Sequence, residues 1–103
     1  MKFRSKYLLL EALDRMEWYT PYMQKNLERN PTYLASALDR LTEFLARNKK
    51  LRENPKIAPF IPRLQEWAFE LPDAYERRDW KTMDKIHKEM LSFAMLILSE
   101  VSR

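Results

Sequence analysis

Apolar residues recur every three or four positions along most of the chain, which is typical of amphipathic helices. One stripe extends from about residue 3 to 29, a second from 31 to about 48, a third from 63 to 71 and a fourth from 80 to about 101. This pattern predicts a single all-α domain over residues 1–103, folded as an antiparallel four-helix bundle. The positions that define the stripes are Leu9, Leu13, Met16, Met23 and Leu27; Leu34, Leu38, Leu41 and Leu45; Leu64, Trp67, Ala68 and Leu71; and Trp80, Met83, His87, Met90, Ala94, Ile97 and Val101.

Two proline-containing dipeptides interrupt the first half of the chain. The first stripe keeps its phase across Thr20-Pro21, so the first helix is either kinked at Pro21 or divided there, with Thr20 as the N-cap of a second segment. Asn30-Pro31 predicts the N-cap and the first residue of the second helix, because asparagine caps well and proline needs no donor at that position.

The second half of the chain is divided in the same way. Residues 49–58 are predicted to form a loop, and Pro59 and Pro62 delay the third helix to about residue 61. Pro72 either ends this third helix or kinks it, and Asp79 is the candidate N-cap of the last helix. The predicted bundle therefore has proline kinks in its first and third helices.

The absence of glycine and cysteine excludes several classes of active site. Without glycine the chain has no phosphate-binding loop, dinucleotide fingerprint or nucleophile elbow, and without cysteine it has no disulfide or thiolate site. The single histidine argues against a metal site, so we expect a protein that is not an enzyme and has no cofactor. Helix ends must also finish without glycine, and Asn48 and Asn54 are the candidates for a left-handed helix end.

No segment resembles a membrane span or a cleaved signal. The longest apolar run, residues 93–98, has six residues, against roughly 20 needed to cross a bilayer. The apolar stretch after the basic N-terminus stops at Glu11 without a small-residue cleavage site. These features predict a cytoplasmic protein that does not enter the membrane.

Aromatic and methionine side chains are abundant and favour binding to another protein. The chain contains 13 aromatic residues and six methionines, and both types are enriched at interfaces. Trp18, Tyr19 and Tyr22 would surround one helix, so part of this group is expected at the surface. The last helix is apolar on more than one face, so it is either central to its bundle or contacts a partner or a second copy through Met90 and Ile97. We therefore predict a helical protein–protein interaction module, such as a regulator, adaptor, inhibitor or accessory protein, that is either a monomer or a homodimer formed through the last helix.

The basic residues support an alternative function, nucleic-acid binding. The net charge of +4 is concentrated in two clusters, residues 2–6 with +3 and residues 47–56 with +4, while the remainder is negative. Such clusters gain affinity for phosphates by releasing counterions, although basic residues after a helix also complement its dipole. The cations of these clusters are Lys2, Arg4 and Lys6, and Arg47, Lys49, Lys50, Arg52 and Lys56.

A second alternative concerns the only histidine, His87. The sequence from Asp79 to His87, Asp-Trp-Lys-Thr-Met-Asp-Lys-Ile-His, resembles the segment before the phosphorylated histidine of histidine-phosphotransfer domains, which are helical bundles of similar size. The resemblance implies that His87 lies on an exposed helix face and accepts a phosphoryl group. Asp84 is the nearest carboxylate at helical spacing, which is too few ligands for a metal ion.

Overall fold

Helices account for most of the chain that the structure describes. The structure, a computed structural model, describes residues 3–19 and 30–102. No β-strand occurs in these two ranges, so the all-α prediction is confirmed for them. The elements are α1 (Phe3–Trp18), α2 (Pro31–Ala46), α3 (Lys49–Glu53), a 3-10 turn (Ala58–Phe60), α4 (Ile61–Glu76) and α5 (Trp80–Val101).

One hydrophobic cluster joins the four longer helices. Each helix contributes buried side chains spaced three or four residues apart, and Ile57 adds one from the connection before α4. All four predicted leucines of α2 are buried, which confirms that stripe. The buried set is Leu9, Ala12 and Met16 of α1; Leu34, Ala37, Leu38, Leu41, Phe44 and Leu45 of α2; Leu64, Trp67, Leu71 and Ala74 of α4; and Met83, Ile86, Met90, Phe93, Ala94 and Ile97 of α5.

Two predicted N-caps are confirmed. The Asn30 side chain accepts a 2.9 Å hydrogen bond from the backbone N–H of Thr32 at the start of α2. Asp79 accepts one of 3.1 Å from the N–H of Thr82 at the start of α5. Each cap satisfies a donor that has no partner within its own helix. These two polar residues therefore fix where α2 and α5 begin.

The predicted loop at residues 49–58 is partly wrong. Its first half forms the short helix α3, and α2 ends at Ala46 rather than near residue 48. Leu51 packs against the core, and Ile57 is fully buried. These apolar anchors hold the segment against the protein, which the charged sequence around them obscured. The third long helix begins at Ile61, as Pro59 and Pro62 predict.

Pro72 lies inside α4, which continues to Glu76 and so does not end at this proline. Because proline has no N–H, the carbonyl of Ala68 lacks the donor that the residue four positions later normally supplies. Pro21, the other predicted kink, and the proposed cap Thr20 lie outside the described residues.

A left-handed residue forms the turn between α4 and α5. Arg78 has φ 55°, and the N–H of the following Asp79 donates a 2.8 Å bond to the carbonyl of Ala74. Asn48 and Asn54, the predicted left-handed positions, have φ −127° and −63°, so that prediction is wrong. The strained backbone conformation lies at an arginine instead.

Candidate interaction groove

The structure buries three of the five residues predicted to contact a partner. Tyr19 is 1% exposed, and Met90 and Ile97 are fully buried in the core of a single chain. The expectation that these three residues lie at the surface is therefore corrected. Trp18 is 48% exposed, and Tyr22 lies outside the described residues.

The burial of the last helix has a simple packing cause. Three helices, α1, α2 and α4, all contact α5, so Met90 and Ile97 are covered without a second chain, while Met95 remains exposed. Tyr19 is fixed beside α5 because its hydroxyl donates a 2.6 Å hydrogen bond to Oδ1 of Asp84. Its ring also lies 4.9 Å from the His87 ring, measured between centroids.

Trp18 connects neighbouring elements although it reaches solvent. The Arg15 guanidinium lies 4.7 Å from the centroid of its ring, and Tyr33 of α2 meets it edge-on at 5.6 Å. These contacts cover part of the indole and join α1 to α2. Trp18 is therefore part of a helix-pairing contact with one exposed edge.

The basic cluster at residues 47–56 is largely paired with carboxylates or carbonyls. Arg47 pairs with Glu43 at 2.6 Å, Lys49 with Glu53 at 3.8 Å and Lys56 with Glu100 at 3.6 Å. Lys50 has no ion pair within the described residues, and neither does Lys6 of the first cluster. The backbone of Lys2 and the side chains of Lys2 and Arg4 lie outside the described part of the chain.

Arg52 has a different role from the lysines around it. Its Nη1 donates to the carbonyls of Leu45 and Ala46, at 2.7 and 2.6 Å. These carbonyls end α2, where partial negative charge accumulates. Arg52 thus complements the C-terminus of α2, as the dipole interpretation predicts. Together with the ion pairs, this gives four of the five cations of the cluster a partner within the protein.

His87 is half-buried rather than on an exposed face. Its Nε2 lies 2.9 Å from the carbonyl of Met16; because a carbonyl only accepts, Nε2 carries the proton and donates. Burial lowers the pKa of His87, which outweighs the opposing effects of this bond and of Asp84. The geometry makes His87 a neutral link between α1 and α5 at pH 7.

A groove between α2 and α4 has a mainly apolar lining. It has a volume of about 450 Å³ and lies between the first half of α2 and the second half of α4. Two alanines leave room in its walls, and a single lining residue, Asp39, carries a charge. We call it the α2–α4 groove; its lining residues are Pro31, Thr32, Ala35, Leu38, Asp39, Ala68, Leu71, Pro72 and Tyr75.

Phe69 of α4 is 80% exposed, the most exposed of the large apolar side chains described. It follows the lining residue Ala68 and precedes the lining residue Pro72 by three positions, so it is a neighbour of Pro72 on the helix surface. The sequence does contain the signal for its exposure, since Phe69 falls outside the stripe of Leu64, Trp67 and Leu71. The groove itself depends on how α2 and α4 pack against each other, and this cannot be predicted from a local sequence pattern.

Metal-binding and membrane-spanning features are not found in the described ranges. No group of three or more His, Asp or Glu side chains there is placed to hold a metal ion. None of the described helices is both long and apolar enough to cross a bilayer. Comparison of the chain with protein-family models, with curated proteins and with solved structures gives no match.

Proposed function

We propose that this chain is a non-enzymatic, cytoplasmic protein–protein interaction module that binds a helical segment of a partner in the α2–α4 groove. The exposure of Phe69 on the helix that forms one wall of this apolar groove is the observation that carries this proposal. Covering a Phe side chain that is otherwise in water contributes roughly 1.5–3 kcal/mol. Exposed apolar surface next to a groove is a common mark of a binding site.

The dimensions of the groove suit a helix. Its α2 wall runs from Pro31 to Asp39, which is about 12 Å along a helix axis. A bound helix places anchors at positions i, i+3 or i+4, and i+7, which span about 10.5 Å. Two turns of an amphipathic helix therefore match the length of the wall, with Phe69 covering one flank.

The arrangement of the helices is part of the same proposal. We propose an antiparallel bundle of the four longer helices, with bends at Pro21 and Pro72. Opposite halves of α2 and α4 line one groove, which supports antiparallel neighbours. Pro72 inside α4 supports a bend, because its ring displaces the preceding turn.

A displayed library of helical peptides tests the function. Peptides with apolar residues at i, i+3, i+4 and i+7 are selected on the wild-type protein, and the affinities of the selected peptides are then measured against variants. We expect Phe69→Ser and the double variant Ala35→Gln/Ala68→Gln each to weaken binding about tenfold. The first loses the apolar contact of the Phe69 ring with the peptide, and the second loses the apolar contacts of the two alanines in the groove walls.

Matched controls distinguish binding in the groove from nonspecific hydrophobic binding. Met95 is 52% exposed on α5, so Met95→Ser removes a similar exposed side chain away from the groove, and Ser99→Gln enlarges an exposed position elsewhere. Both controls should bind like the wild type. Selection of no peptide, or equal binding to wild type and Phe69→Ser, would overturn the proposal.

A further inference from the structure

The charge of α4 opposes that of the whole protein. The helix carries one basic side chain, Arg63, and four carboxylates, for a net charge of −3, in a chain of net charge +4. From this and the groove lining we infer that the helix bound in the α2–α4 groove is a basic amphipathic helix, with Lys or Arg flanking its apolar face. This inference rests on the function proposed above.

Asp39 of the groove lining and Glu76 at the end of α4 have no ion-pair partner among the residues that the structure describes. Asp39 lines the α2 wall, and Glu76 follows the lining residue Tyr75 on α4. Both are exposed, and neither forms an ion pair within the described residues. Most other carboxylates there are paired, for example Glu11 with Arg15 and Arg40. An unpaired carboxylate in the α2 wall and another at the end of α4 favour a cationic partner.

The backbone carbonyl of Ala68 is a further hydrogen-bond acceptor among the residues that line the groove. Pro72 supplies no N–H to the carbonyl of Ala68, and both residues line the groove. The ammonium of Lys and the guanidinium of Arg only donate hydrogen bonds. A wall with carboxylates and a carbonyl short of a donor is therefore suited to those side chains.

The cations after α4 are already engaged. Arg77 pairs with Asp73 at 3.0 Å and with Asp79 at 3.9 Å. The Arg78 guanidinium lies 4.6 Å from the centroid of the Tyr75 ring and 5.9 Å from that of Trp80. Neither is paired with Asp39 or Glu76, so these two carboxylates remain available. An acidic helix would instead face like charges there.

Three peptides of one design test the inference. They share the apolar face of a peptide selected as above, and their polar positions carry Lys, Gln or Glu. We expect the Lys peptide to bind about fivefold to tenfold more tightly than the Gln peptide in anisotropy titrations, as for two exposed ion pairs. Added salt should weaken only the Lys peptide, by screening, and the Glu peptide should bind most weakly.

Charge-neutral variants assign the preference to the two carboxylates. In the double variant Asp39→Asn/Glu76→Gln the Lys and Gln peptides should bind within about twofold of each other. Glu17→Gln, which removes an exposed carboxylate of α1, should keep the wild-type preference.

The outcomes separate the two proposals. Equal binding of all three peptides at the groove leaves the proposed function standing and overturns the basic-partner inference. Tighter binding of the Glu peptide, or a Lys preference that persists in Asp39→Asn/Glu76→Gln, also overturns it. Failure of every peptide to bind overturns the proposed function, and with it the inference.

Discussion

The buried indole of Trp67 donates its Nε1–H to Oε1 of Glu89 over 3.0 Å, which joins α4 to α5. Arg63 donates to the same oxygen at 2.8 Å and also pairs with Glu66. Burial acts to raise the pKa of Glu89, but the bonds from Trp67 and Arg63 outweigh it and hold that pKa below its usual value. One carboxylate oxygen thus satisfies a core indole and a surface guanidinium.

Replacing Glu89 by alanine should destabilise the fold because the indole N–H of Trp67 loses its acceptor. A buried donor without a partner costs about 1–3 kcal/mol. Glu89→Gln should cost less, since an amide oxygen still accepts from the indole. Urea unfolding followed by far-UV circular dichroism measures both. Glu76→Ala is the exposed control and should stay within about 0.5 kcal/mol of wild type; equal losses for the two Glu89 variants would contradict the role of the hydrogen bond.

Acidification should weaken the fold through His87. Its pKa is lowered from 6.5 by burial, so below that pH the unfolded chain binds a proton more readily than the folded protein does. Stability is then full above about pH 6.5 and falls as the pH drops towards the folded pKa. His87 is the only histidine in the chain.

The denaturation midpoint at pH 7.5 and pH 5 measures this effect. Wild type should lose stability between the two values, and His87→Gln should lose clearly less, because its side chain does not titrate. Identical pH profiles for the two proteins would show that His87 does not carry the dependence.

The turn at Arg78 should be stabilised by glycine relative to alanine. A left-handed conformation such as φ 55° costs a residue with a Cβ atom about 1 kcal/mol or more, and glycine little. Arg78→Gly and Arg78→Ala both lose the guanidinium over Tyr75, so their difference isolates the backbone. We expect Arg78→Gly to be more stable by about 1 kcal/mol in thermal unfolding. The reverse order would mean that the turn adopts another conformation.

Truncation of two methionines of α5 should change the stability of the fold by very different amounts. Met90 is fully buried and Met95 is 52% exposed. Met90→Ala should cost about 2–5 kcal/mol through the lost contacts and the cavity, and Met95→Ala should change stability by less than about 0.5 kcal/mol. Chemical denaturation of both variants tests this. A small effect at Met90 would be inconsistent with its place in a core formed within one chain.

Local signals were sufficient to predict where α2 and α5 begin. Asn30 and Asp79 cap helices because their short side chains reach an N–H two or three residues along the chain. The apolar stripes of α2 and α5 depend on the 3.6-residue period and were equally readable. Such features involve neighbours in sequence, so no knowledge of the packing was needed.

The surface was harder to predict because it depends on which helices meet. Met90 and Ile97 belong to an unusually apolar helix, and only the convergence of α1, α2 and α4 on it shows that one chain covers them. Tyr19 is buried by contacts with Asp84 and His87, which are far from it in the sequence. The α2–α4 groove has the same origin, since Ala35 and Ala68 become a cavity wall only when their helices pack.

Because Arg52 of α3 binds two carbonyls at the end of α2, we expect α3 and the last turn of α2 to unfold together. Since the side chain of α3 binds the end of α2, α3 does not detach without exposing those carbonyls to water. The amides of α3 and of the last turn of α2 should therefore exchange with deuterium at a common rate. In Arg52→Ala the two segments should exchange independently, with α3 becoming the faster, so a single surface arginine sets the size of one cooperative piece of the fold.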